Sequence, residues 1–136
     1  MDKKTYLRLS YWFGAIGDAL LGIEMFFSAF LGNLSPFNGL GFTINGGSDY
    51  RYAMAIGATF MLSWTILLLW ADRKPFEKKD LLLILIPVII GLQSSMILGF
   101  TLGLISIEKL LIDGIQRLAY GILIVFSYFK ASKTID

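Results

Sequence analysis

The stretch LLLILIPVIIGLQSSMILGFTLG, residues 81–103, contains no charged side chain. An α-helix rises about 1.5 Å per residue, so roughly 20 residues cross a hydrocarbon core about 30 Å thick. A charge-free run of this length therefore predicts a membrane-spanning helix. Pro87 lies within it and predicts a bend, because the proline ring removes one backbone hydrogen bond.

Three further apolar runs predict helices over residues 10–31, 52–70 and 110–129. Between the four runs lie a loop rich in Gly and Asn at 33–49, a short charged connection at 71–80 and a tight turn at 104–109. Short connections make successive helices antiparallel neighbours. The sequence thus predicts an all-α fold, a membrane-embedded four-helix bundle that forms a single transmembrane domain over residues 1–136.

The composition supports this fold and excludes several classes of function. Hydrophobic residues make up 56% of the chain and charged residues only 16%, whereas a soluble domain needs more charged surface. Cys and His are both absent, which excludes disulfides, Cys/His zinc sites and haem ligated by either residue. We therefore expect no metal or other cofactor, and the lack of a basic stripe argues against a nucleic-acid partner.

The distribution of Lys and Arg predicts the orientation, because cytoplasmic loops of membrane proteins are enriched in these residues. Only Arg51 and Lys109 fall on one predicted side, and Arg117 lies inside the fourth span. The other side holds nine: Lys3, Lys4, Arg8, Arg73, Lys74, Lys78, Lys79, Lys130 and Lys133. We expect a multi-pass protein of the cell's inner membrane with both termini in the cytoplasm (N-in/C-in).

A few polar residues within the spans are the candidates for function. A charge at this depth costs about 2.5–3.5 kcal/mol on insertion scales, so such residues face the interior and find partners. Counting about 1.5 Å of rise per residue from the cytoplasmic ends groups Glu24 with Gln93 and Arg117, and Asp18 with Ser63 and Thr65. The ligand- or ion-binding candidates are Asp18, Glu24, Gln93, Asp113, Gln116 and Arg117.

Two interpretations of these polar residues remain open. They could form a structural network that fixes helix register, or a site that binds or conducts a small ligand, ion or proton. Asp18 is the strongest functional candidate, because no basic residue lies at its predicted depth and a carboxyl group there can take up a proton. On the fourth helix, Asp113, Gln116, Arg117 and Tyr120 share one face.

Small residues predict helix-packing faces, because they let neighbouring backbones approach closely. The candidate positions are Gly14, Gly22, Gly91, Ser95, Gly99 and Gly103. These faces could pack within the bundle, or they could dock a second copy or a larger membrane complex. The alternative function is therefore a structural or accessory subunit.

An enzyme is the least favoured interpretation, because no catalytic constellation is recognisable without His and Cys. A lipid-directed enzyme would depend on Asp18 and Glu24. These residues lie six positions apart, about 120° around the helix, and so cannot converge on one atom from the same face.

Two stretches, YWFGAIGDALLGIEMF (11–26) and SDYRYAMAIGATFMLSWTILLLWADRKPFEKKDLLLILIPVIIG (48–91), carry a resemblance to known proteins. They resemble a family of small uncharacterised prokaryotic four-helix integral membrane proteins. In size and helix count the chain is also similar to DoxX-like membrane proteins. The resemblance implies a prokaryotic inner membrane, and it brings no function or motif with it.

Overall fold

The computed structural model describes residues 2–31 and 47–133. This part of the chain folds into four helices, α1 (Lys3–Leu31), α2 (Ser48–Asp72), α3 (Leu81–Thr101) and α4 (Ile107–Ser132). Each helix is long and apolar enough to cross a membrane, so the prediction of an all-α chain with four such helices is confirmed. The predicted loop at 33–49 lies mostly outside the described residues.

The helix ends differ from the predicted spans, because hydropathy marks only the apolar part of a helix. α1 begins at Lys3 rather than at residue 10, and α4 begins at Ile107 rather than at residue 110. Ser106 caps α4, since its side chain accepts a hydrogen bond from the backbone N–H of Lys109 at 3.2 Å. Helical hydrogen bonding thus continues into the polar flanks of the spans.

A tight turn ends α3 two residues earlier than predicted. Gly103 has a φ of +72°, a left-handed conformation that glycine adopts without steric cost. The backbone N–H of Leu104 donates to the carbonyl of Gly99 at 2.9 Å, and that of Gly103 donates to Phe100 at 3.0 Å. These two bonds form a Schellman motif, which satisfies carbonyls that the helix end would otherwise leave without partners.

Helix packing is uneven. α1 packs most extensively against α2, and α4 packs against both α1 and α3. The buried core lies toward one end of the molecule, where Tyr11, Leu68, Leu82 and Ile124 are fully buried. α1 and α3 make little direct contact with each other.

The core end of the molecule also carries most of the basic residues. Arg8 at the start of α1 donates two hydrogen bonds to Asp72 at the end of α2, at 2.9 and 3.0 Å. Lys79 from the connection before α3 donates to Ser132 at the end of α4 at 3.3 Å. We call this end the basic end; it comprises residues 2–11, 70–82 and 128–133.

The outward surface of the helices is dominated by large apolar side chains. Phe60, Ile90 and Ile115 are exposed by 70%, 61% and 68%, respectively, and each lies on a different helix. Soluble monomers rarely expose apolar patches of this extent. The surface is therefore consistent with a multi-pass membrane protein.

Candidate functional site

A cavity of about 550 Å³ lies between α1, α3 and α4, on the far side of the core from the basic end. Its walls are mainly apolar, with Leu20 from α1 and Leu85, Val88 and Ile89 from α3. Five of the six candidates predicted from the sequence line it: Asp18, Glu24, Asp113, Gln116 and Arg117. The structure thus gathers polar residues from two helices around one space.

A ladder of charged side chains runs along the cavity face of α4. Lys109 Nζ lies 2.9 Å from Asp113 Oδ1, and Arg117 Nη2 lies 4.0 Å from Asp113 Oδ2. Successive members are four residues apart, the spacing that places side chains above one another on a helix. Asp113 is therefore shared between two cations, and Gln116 lies beside the ladder.

Arg117 also links α4 to α3. Its Nη1 donates to Gln93 Oε1 at 3.0 Å and to the backbone carbonyl of Leu92 at 3.5 Å. Gln93, the sixth candidate, thus contacts the site through Arg117. Gly114 lies beside this contact, and a Cβ there would be in ordinary van der Waals contact with Gln93 Nε2 at 3.4 Å.

Glu24 and Asp18 lie on the opposite wall, both on α1. Glu24 is only 5% exposed, and it lines the same cavity as Arg117. Although Asp18 and Glu24 are about 120° apart around the helix, both reach this space because the cavity extends across several turns of α1. Of the predicted group, Glu24 and Arg117 line this cavity, and Gln93 lies outside its lining and contacts Arg117.

Asp18 has surroundings different from those predicted. Among the described residues it makes no hydrogen bond or ion pair, although it lines the cavity. Ser63 is exposed on α2, and Thr65 donates to the carbonyls of Met61 and Ala15 at 3.0 and 3.5 Å. Asp18 does not join them, because α1 presents Ala15 to α2 and turns Asp18 toward the cavity.

Two aromatic rings line the same cavity as Asp18, and neither was among the predicted site residues. The ring centroids of Phe13 and Tyr120 are 5.2 Å apart with an interplanar angle of 34°. The Tyr120 hydroxyl donates to the backbone carbonyl of Ser10 at 2.9 Å. Gly14 allows this reach, because a Cβ there would overlap the hydroxyl oxygen. For Tyr120 the sequence did contain a signal, because its helical spacing from Gln116 places the two residues on one face of α4.

The small residues predicted to pack helices fall into three groups. Gly14 and Gly22 face α2 and α4, where Leu68 and Tyr120 border Gly14 and Leu62 borders Gly22. Ile105, from the turn between α3 and α4, covers Gly99, and Gly103 lies in that turn. Gly91 and Ser95 are exposed on α3, and a Cβ on Gly91 would meet no described atom within 4 Å.

Among the described residues, no group of three or more acidic side chains is arranged to hold a metal ion. Comparisons with protein-family models, curated proteins and solved structures find no match for this chain. The cavity and its charged residues are therefore the features that indicate a function for this chain.

Proposed function

We propose that this chain is a multi-pass protein of a prokaryotic inner membrane, with antiparallel neighbouring helices and both termini in the cytoplasm. The contacts of Arg8 with Asp72 and of Lys79 with Ser132 support this arrangement, because they join the ends of helices that antiparallel packing brings together. The basic end is the cytoplasmic end by the distribution of Lys and Arg. Trp12 and Trp70 lie half-exposed there, as aromatic rings do at a membrane interface.

The function proposed for this fold is to bind a small ligand in the cavity. The main support is that Asp18, Glu24, Asp113 and Arg117 line one cavity of about 550 Å³ whose walls are otherwise mainly apolar. Ligand sites typically measure about 300–1,000 Å³ and combine apolar walls with a few polar groups. Intramembrane charges also occur preferentially at ligand and ion pathways.

The packing of side chains below the cavity favours ligand binding over a permanently open pore. The fully buried side chains of Tyr11, Leu68 and Leu82 lie below the cavity, at and beside the basic end. A close-packed core of this kind leaves no continuous water path. Conduction of an ion or proton would therefore require the helices to separate at this core.

Single-cysteine labelling tests whether the cavity is accessible, and the natural chain contains no Cys to interfere. Gly17 lines the cavity and Gly91 faces outward on α3, and a Cβ at either position meets no described atom within 4 Å. Thiols react as thiolates, which form in water rather than in hydrocarbon. We expect N-ethylmaleimide to label Gly17→Cys faster than Gly91→Cys in native membranes.

Equal, slow labelling of the two variants would contradict a hydrated ligand site.

Thr5→Cys at the basic end and Glu108→Cys at the start of α4 test the orientation in the same background. A membrane-impermeant maleimide applied to intact spheroplasts should label only Glu108→Cys, and labelling of Thr5→Cys would refute the proposed orientation.

An accessory or structural role is the second candidate, favoured by the outward position of Gly91 and Ser95 on α3. If this face docks a second copy or a larger complex, Gly91→Leu should reduce crosslinked assemblies in membranes. Gly121→Leu is the matched control, since a Cβ at Gly121 also meets no described atom within 4 Å. Unchanged assembly in Gly91→Leu would exclude this face. Gly99 is unsuited to the test because Ile105 covers it.

A further inference from the structure

We infer that the ligand of the cavity is a lipophilic monovalent cation, held by the Asp18 carboxylate beside the rings of Phe13 and Tyr120. This inference rests on the proposed function, and it adds the chemical class of the ligand. Four observations carry it: the charges around the cavity, the hydrogen bonds already made there, the two aromatic rings in the lining, and the apolar character of the rim.

The charges around the cavity leave an acid in excess. The ionisable carboxyl groups that line it are Asp18, Glu24 and Asp113, and the cations are Lys109 and Arg117. Both cations lie beside Asp113, on the α4 wall. Asp18 lies on the α1 wall without an ion pair among the described residues. A ligand that carries one positive charge would pair with Asp18.

One potential hydrogen-bond donor near Asp18 is already in use. Tyr120 is the polar neighbour on α4, and its hydroxyl hydrogen is donated to the carbonyl of Ser10. A tyrosine hydroxyl has one hydrogen to donate, so Tyr120 cannot also donate to Asp18 in this arrangement. A partly buried carboxylate without a donor is less well stabilised than one in water, and a bound ligand can supply the missing donor or charge.

The rings of Phe13 and Tyr120 add a second element of cation recognition. Both line the same cavity as Asp18. Aromatic faces attract cations through the ring quadrupole, and the attraction strengthens when the cation is desolvated. A cavity that is lined by an acid and two aromatic rings is thus suited to an ammonium or phosphonium group.

The rim of the cavity indicates that the cation is lipophilic. The α1 wall of the cavity includes Leu20 and Ile23, which are 61% and 44% exposed. A small hydrated ion crossing such a rim would lose its water without compensation. A cation shielded by its own apolar groups enters from the lipid at less cost.

An anionic amphiphile is the opposite possibility, and existing contacts disfavour it. Arg117 already donates to Gln93 and to the carbonyl of Leu92, and Lys109 is paired with Asp113 at 2.9 Å. An anion would compete with these partners for the two cations, whereas a cation at Asp18 competes with no contact among the described residues.

Tetraphenylphosphonium and tetraphenylborate test the inference, because they share a shape and differ in the sign of their charge. Binding of each is measured to the full chain in nanodiscs, with protein-free nanodiscs subtracted. We expect saturable binding of tetraphenylphosphonium alone. Asp18→Asn should weaken it by on the order of tenfold, the effect of losing one charged partner. Glu108→Gln, an exposed acid outside the cavity lining, should leave the affinity unchanged.

A second measurement keeps the acid in place in case Asp18→Asn fails to fold. In Gly17→Cys, tetraphenylphosphonium should slow maleimide labelling, whereas tetraphenylborate should not. Unchanged phosphonium affinity in a folded Asp18→Asn variant would overturn the role of Asp18. If tetraphenylborate binds saturably and Arg117→Gln abolishes this binding, the ligand is not a cation. The proposal of a ligand-binding cavity would remain valid. If neither probe binds and the thiol at position 17 is unreactive, both the inference and the proposed function fail.

Discussion

Arg117 on α4 donates a hydrogen bond of 3.0 Å to the side chain of Gln93 on α3, and this bond joins the two helices beside the cavity. α3 has few other attachments at this level, because it packs mainly against α4. The bond therefore contributes both to the position of α3 and to the shape of the cavity. Its loss should be measurable as a loss of stability.

Gln93→Leu tests this contact. Interhelical hydrogen bonds in membranes contribute about 0.6 kcal/mol on average and up to about 1.7 kcal/mol, so we expect destabilisation in this range. The measurement is the free energy of unfolding in mixed micelles titrated with sodium dodecyl sulfate. Gln116→Leu is the matched control, because Gln116 is exposed and makes no hydrogen bond among the described residues. Equal stability of the two variants would show that the Gln93 contact contributes nothing.

The close approach of α1 and α4 at Gly14 gives a second prediction. A Cβ at Gly14 would overlap the Tyr120 hydroxyl and would lie 2.9 Å from Leu68 Cδ1. Tyr120 is held by its bond to Ser10, and Leu68 is fully buried, so neither can move freely. We expect Gly14→Ala to destabilise the fold by about 1–3 kcal/mol, the usual cost of overpacking.

The control for Gly14→Ala lies one turn along the same helix. A Cβ at Gly17 meets no described atom within 4 Å, so Gly17→Ala should be neutral or slightly stabilising. Tyr120→Phe combined with Gly14→Ala should recover part of the loss, because the overlapping oxygen is gone. If Gly14→Ala is as stable as Gly17→Ala in the same unfolding titration, α1 and α4 do not approach closely at this point.

The sequence predicted the four helices well because a membrane span has a simple physical requirement. The absence of charge over residues 81–103 identified α3 directly. Spacing along one helix was similarly informative. Asp113, Gln116, Arg117 and Tyr120 were assigned to one face of α4, and all four line the cavity.

Relations between helices were harder to predict, because they depend on how each helix rotates about its own axis. Gly91 and Ser95 share a face by spacing, yet spacing does not determine whether that face meets a neighbour. Asp18 and Thr65 have similar predicted depths, but the rotation of α1 turns Asp18 toward α4. Lys109 was assigned to the membrane surface, and its long side chain reaches one turn along α4 to Asp113 instead.

The turn between α3 and α4 gives a third prediction. Gly103 has a φ of +72°, and a side chain in this left-handed region costs about 1–2 kcal/mol. We therefore expect Gly103→Ala to lower the free energy of unfolding by about that amount, with Gly103→Asn losing less because Asn tolerates the conformation better. Gly121→Ala on α4 is the control and should be neutral or stabilising. A stability of Gly103→Ala equal to that of Gly121→Ala would rule out the left-handed turn.

The end of α1 provides the last prediction, because Arg51 on α2 satisfies two of its carbonyls. Arg51 Nε donates to the carbonyl of Ala29 at 2.7 Å, and its Nη2 donates to that of Phe30 at 3.0 Å. The last carbonyls of a helix lack partners within the helix, and a cation there also opposes the negative end of the helix dipole. Arg51→Met should therefore loosen the last turn of α1 and destabilise the protein by about 1 kcal/mol.

Hydrogen exchange of the backbone amides at residues 27–31 measures this loosening directly. We expect faster exchange in Arg51→Met and an intermediate rate in Arg51→Lys. Lys keeps the charge, but it lacks the forked guanidinium with which Arg51 donates to both carbonyls. Arg73→Met, at an exposed position on the basic end, is the matched control and should leave exchange in α1 unchanged. Wild-type exchange rates in Arg51→Met would show that the end of α1 holds without this contact.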